Sequence, residues 1–247
     1  MVLTGLSQHA PKGNSVTKPA ADLLIVEDLL LLLLDDKTGT IAGEGTLMYT
    51  LGGAVLVELA LGGHVETDEK PTLLHGERIH AVEGKPPTDP LLLAAYEKVA
   101  EKPRGVQTLL ITIGSDLRGQ VLERLIQRGS IRRESKKILG IFPSTSLPTM
   151  DPEHEAALLE SVRAALVDGT EADTRTAALV ALLSASGTLP QFHPAIRWSG
   201  DVYTRGKEYE AGNWGAAAVS TALARTAAAI AVSSTVAVTV ATSATNS

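Results

Sequence analysis

The chain contains no cysteine. That absence excludes disulfides, thiolate metal sites and cysteine nucleophiles, and it fits a reducing compartment. Aromatic residues are scarce, at 3% of 247 residues. The core must then be built from Leu, Val, Ile and Ala, which suits packed helices better than a β-sandwich. The N-terminus lacks the charged and apolar regions of a secretory signal. Catalytic and cofactor signatures are missing as well. There is no GxSxG elbow, P-loop or HExxH pattern, and Gly43-Glu44-Gly45 lacks the third glycine of a dinucleotide fingerprint. His75 and His80 stand without metal-ligand spacing, so no metal, no cofactor and no enzymatic activity are expected.

One apolar run stands out. Residues 23–34 are all Leu, Ile or Val except Glu27 and Asp28. A helix apolar almost all round belongs inside a helical core, and this one is too short for a bilayer, which needs about 20 apolar residues. The pattern predicts a helix over 22–36 that stops at Gly39, with Glu27 and Asp28 capping it or bonding a neighbouring helix. A second apolar helix is expected over 46–61, stopping at Gly62-Gly63. Strand-like pieces follow at 64–67 and 78–82. Further helices are expected at 90–102, 115–128, 152–167, 171–186 and 201–232. In the segment Asp151-Pro152-Glu153-His154-Glu155 the acids look like a metal or acid–base cluster, but the order reads better as Asp151 N-cap, Pro152 at N1 and acids on the helix dipole.

Charge is unevenly spread. The chain is −6 overall, yet 101–137 holds Lys102, Arg104, Arg118, Arg124, Arg128, Arg132, Arg133, Lys136 and Lys137 against Glu101, Asp116, Glu123 and Glu134. That stretch is +5, and the remainder is −11. Arg132, Arg133, Lys136 and Lys137 directly precede the apolar Ile138-Leu139-Gly140-Ile141-Phe142. Basic residues beside an apolar tip suit an anionic membrane surface, each cation contributing about 1 kcal/mol there. Arg124 and Arg128 are read as pairing with nearby acids such as Glu123, whereas Arg118 is the arginine best suited to a phosphate. Twice the chain runs helix, Gly, hairpin, Pro-initiated helix. That order gives an alternative reading as a winged-helix-like nucleic-acid binder, against which the net charge and apolar wing tip both count. No nucleic-acid partner is therefore expected.

Two segments in fixed order carry a family resemblance: Leu23–Gly39, and Gly53-Ala54-Val55-Leu56-Val57-Glu58-Leu59-Ala60-Leu61-Gly62-Gly63-His64-Val65. With Leu122-Glu123-Arg124-Leu125-Ile126-Gln127-Arg128-Gly129-Ser130-Ile131 and the hairpin at 132–148, the chain resembles the Golgi phosphoprotein 3-like family in its prokaryotic style. The resemblance implies a mainly α fold: a single domain over 21–232 with a central helical bundle wrapped by amphipathic helices, plus short β-hairpins. A mobile leader (1–20) and a low-complexity tail (233–247) would flank it. It also implies a non-catalytic, cytoplasmic, peripheral membrane protein that binds phosphatidylinositol 4-phosphate or other anionic headgroups and acts as an adaptor with a protein partner.

The candidate headgroup residues are Arg118, which the resemblance supports, and Arg132, Arg133, Lys136 and Lys137, which the basic stretch supplies. Ile138, Leu139, Ile141 and Phe142 would form the hairpin tip for membrane contact or homo-oligomerisation. At the family's pocket positions this chain has Gly43, Gly52 and Ser115, and keeps only Arg118.

Overall fold

A computed structural model of the chain describes residues 23–67, 78–138, 142–212 and 229–231, and for 136–138 and 142–144 the backbone alone. The expected leader, tail and hairpin tip residues Leu139 and Ile141 lie outside the described residues, as does most of the expected 201–232 helix. The fold is mainly helical with short antiparallel strands. Helix α1 (Ile25–Leu33) and helix α2 (Leu47–Leu61) form its centre, and α1 buries every residue except Leu32. Each fully buried Leu or Val in them contributes roughly 2 kcal/mol.

Helix α1 ends earlier than the sequence suggests. Asp35 Oδ1 accepts from the Lys37 and Thr38 amides (3.0 and 2.8 Å) and from the Thr38 hydroxyl (2.8 Å). The Gly39 amide donates to the Asp35 carbonyl (2.7 Å), and Leu34 bridges Ile41. Gly39, at φ +69°, therefore closes this turn and is not a helix cap.

Strands β1 (Val65–Thr67), β2 (Arg78–Ala81) and β3 (Arg104–Gly105) form one antiparallel sheet in that order, with Glu66 opposite His80 and Ile79 opposite Arg104. Helix α3 (Pro90–Ala100) starts on Asp89, whose carboxylate accepts from the Leu91 amide at 2.8 Å. Helix α4 (Val106–Gly114) follows β3, and α5 (Leu117–Arg128) ends on Gly129 at φ +77°. The 115–128 expectation missed α4 altogether. Its Val, Thr and Ile residues favour a strand locally, but burial of Val106, Leu109, Leu110 and Ile113 against α2 and α3 overrides that preference.

Strands β4 (Glu134–Ile138) and β5 (Phe142–Ser146) make a two-stranded hairpin, with Lys137 opposite Pro143 and Ile138 opposite Phe142. The first strand group is a three-stranded sheet and the second is an isolated hairpin, so the repeated sequence order is not a structural repeat. Helix α6 (Pro152–Arg163) begins as read, with Asp151 accepting from the His154 amide at 3.1 Å, and runs into a π-helical turn at Ala164–Asp168. Helix α7 (Thr174–Ala185) and helix α8 (Gly200–Glu210) start on Asp173 and Ser199.

Residues Glu44–Leu61 are long and apolar enough to cross a membrane, but 67% of that stretch is buried inside the protein. It acts here as a core helix.

Helices α2 and α4 meet backbone to backbone. A methyl on Gly114 would lie 1.8 Å from the Met48 carbonyl oxygen, and one on Gly52 would lie 2.5 Å from that of Leu110. Neither carbonyl can move without breaking its helix. Gly114→Ala is therefore expected to lower unfolding free energy by about 3 kcal/mol in urea titration. Gly119→Ala, on α5 with nothing within 4 Å of the added methyl, is expected to raise it by up to about 1 kcal/mol.

Candidate functional site

The two acids inside the Leu-rich helix are sealed from solvent, Glu27 at 0% and Asp28 at 1% exposure. Glu27 Oε1 accepts from Arg124 Nε (3.2 Å) and lies 3.0 Å from Arg128 Nε, both on α5. Its other oxygen accepts from the Leu24 amide at 2.8 Å, so Glu27 also caps its own helix. Asp28 meets different helices. It accepts from His154 Nε2 on α6 (2.8 Å) and from Arg175 Nε on α7 (2.8 Å). Arg175 also donates to the Leu23 carbonyl, and Glu58 on α2 accepts from the Ile25 amide. Arg124 reaches past Glu27 to Asp89 (2.8 Å), the cap of α3.

Four carboxylates and three guanidiniums thus meet around the start of α1. Burial raises the Glu58 carboxyl above its ordinary value, against the pull of the Ile25 amide and Arg175. Burial alone would raise Asp89 too, but the Arg124 hydrogen bond and the Leu91 amide outweigh it and hold this carboxyl low. Arg124 and Arg128 are therefore held by Glu27 and Asp89, not by Glu123 as expected. Their i,i+4 spacing puts both side chains on one face of α5, where both reach Glu27 of α1.

The cations singled out for a ligand lie elsewhere. Arg118, Arg132 and Arg133 have 50%, 59% and 55% of their side chains exposed. Each is nonetheless paired: Arg118 with Glu44 (2.7 Å), Arg133 with Glu123 (2.6 Å), and Arg132 with Glu134. Lys136, Lys137, Ile138 and Phe142 occupy the facing strands β4 and β5, whose backbone register is described and whose side chains there are not.

Glu44 has no sequence signal as a partner of Arg118; the fold brings them together by setting the turn before α2 beside the start of α5. Gly43, next to Glu44, lines an open groove of about 330 Å³ with Leu32, Leu34, Ile41 and Phe192. Ser115 is exposed between α4 and α5. Gly52 is separate from these: it is pressed against the α4 backbone, and a side chain has no room there. Among the described residues no group of three metal-ligating side chains converges.

The two classes of arginine should respond differently to loss. Arg175→Gln leaves Asp28 buried with His154 as its remaining partner, and is expected to cost about 3 kcal/mol in chemical denaturation. Arg118→Gln breaks an exposed pair and is expected to cost less than about 1 kcal/mol. The acid limb of stability has a residue-specific origin as well. Asp89 is depressed in the fold, so its contribution is present above the ordinary value of 3.8 and is lost as pH falls through the folded value. Glu58, raised from 4.5, has the opposite slope, its cost appearing as pH rises from that value to its folded one. Asp89→Asn should therefore flatten the fall in stability below about pH 4, read from denaturation midpoints across an acid series.

No curated protein matches the chain. A family profile does: that of Golgi phosphoprotein 3 (GPP34), over residues 25–226. The match begins on the first residue of α1 and covers every described element from there to α8. With the buried helix pair, the arginine-bearing helix and the hairpin in the order the resemblance requires, the chain belongs to the Golgi phosphoprotein 3 family.

Proposed function

We propose that this protein is a non-catalytic, peripheral membrane protein that binds anionic phospholipid headgroups through Arg118, Arg132, Arg133, Lys136 and Lys137. In this reading Ile138, Leu139, Ile141 and Phe142 at the hairpin tip make the apolar contact with the bilayer or with a second hairpin. The observation that carries the reading is the division of labour within one basic stretch. Arg124 and Arg128 serve the interior, whereas Arg118, Arg132 and Arg133 stay half-exposed at the start of α5 and the root of an isolated hairpin. Neither part suffices alone: a few exposed cations give weak, salt-screened attraction, and a short apolar tip buries little area. Together they form the two-part anchor that reversible membrane binding needs.

Specificity for phosphatidylinositol 4-phosphate is the finer part of the proposal. It draws on family membership and on Arg118, since Gly43, Gly52 and Ser115 supply no headgroup-binding side chain beyond the Ser115 hydroxyl. The winged-helix alternative has less support, because α2, the helix before the first strand group, is buried and offers no face to a groove.

Co-sedimentation of the full chain with vesicles tests the proposal. Binding to phosphatidylcholine vesicles containing phosphatidylserine or phosphatidylinositol 4-phosphate is expected at low salt, with little binding to phosphatidylcholine alone. The variant Arg132→Gln/Arg133→Gln/Lys136→Gln/Lys137→Gln should bind at least about tenfold more weakly. A wild-type chain that stays in the supernatant with every anionic vesicle would overturn the reading.

A further inference from the structure

Each of the three arginines proposed to meet the membrane already has an acid. Glu44 reaches Arg118 from the turn before α2, Glu123 reaches Arg133 from α5, and Glu134 holds Arg132 from two residues away. These pairs differ in kind from those around α1. The carboxylates of Glu27 and Asp28 are sealed inside, so they cannot be exchanged for an outside anion. Glu44, Glu123 and Glu134 have 53%, 52% and 28% of their side chains exposed, open to water and to competitors.

Resting on the membrane reading above, we propose that Glu44, Glu123 and Glu134 are built-in competitors that hold Arg118, Arg133 and Arg132 until a surface dense in anionic phosphate displaces them. A guanidinium fork matches phosphate oxygens at least as well as a single carboxylate oxygen. An exposed ion pair of this type biases its partner by only about 1.5- to 5-fold, so each acid is displaced easily. Three of them act together. A sparse anionic surface leaves the arginines with their own acids, whereas a dense one takes all three. The device sets a threshold in lipid charge. Its place is on the binding surface itself, and the network around α1 is left untouched.

The test compares the full wild-type chain with Glu44→Gln/Glu123→Gln/Glu134→Gln and with a control, Glu83→Gln/Glu97→Gln/Glu208→Gln. The control removes the same formal charge from exposed acids that are not paired with these three arginines. Each is titrated in co-sedimentation with phosphatidylcholine vesicles carrying a graded share of phosphatidylserine, and thermal melts confirm that all three are folded. The first variant is expected to reach half-binding at a lower phosphatidylserine share and to bind about tenfold more tightly at a fixed share. The control should shift by no more than about twofold. Equal behaviour of the two variants, or no shift in either, overturns the competitor role while wild-type binding keeps the membrane reading standing. If folded wild type and the first variant both stay unbound at low salt, the membrane reading and this inference fall together.

Discussion

The fold depends on how two adjacent carboxylates are satisfied inside an apolar helix. Glu27 and Asp28 sit side by side on α1 and point to different neighbours. Glu27 binds α5 and, through Arg124 and Asp89, touches the start of α3. Asp28 binds α6 and α7, and Glu58 of α2 joins by capping α1. Burying an unpaired carboxylate would cost several kcal/mol, so each neighbouring helix must arrive with its cation in place. That requirement selects one arrangement of helices among the many that Leu and Ala surfaces would tolerate. Hydrophobic burial supplies the drive, and the acids supply the register.

A second constraint operates where α2 meets α4. Gly52 and Gly114 let two backbones touch, which brings α4 onto the core and sets where α5 begins. The same contact decides the fate of a position expected to face a headgroup. Gly52 has become part of the packing. Its neighbour in that expectation, Gly43, lines a groove on the surface instead. Positions that the resemblance groups together have been divided between scaffold and surface by the approach of a single helix.

The basic stretch is divided by the same logic. Charge counting treats its nine cations alike, but their surroundings do not. Arg124 and Arg128 are committed to a buried acid, whereas Arg118, Arg132 and Arg133 hold acids that water still reaches, at the hairpin root and the start of α5. An arginine facing a sealed carboxylate works as structure. One facing an exposed carboxylate is still available to a ligand. Net charge along a segment cannot separate the two, because the difference lies in the dielectric around the partner.

Much of the fold was legible in the residues. The run of Leu with its two acids, the Gly62 and Gly129 stops, the Pro90 start and the Asp151 cap rest on local rules of periodicity and capping, and the structure has them where those rules put them. The sequence also determined that the core would be aliphatic and helical, since it offers little else to bury. What it left open is contact between distant residues. Helix α4 was hidden because its β-branched residues favour a strand until burial overrules them. The partners of Glu27, Asp28 and Arg118 were hidden because an ion pair between remote positions leaves no periodic trace. Only the tertiary structure, by removing some carboxylates from water and leaving others in it, decided which charges hold this protein together and which remain free to trade partners.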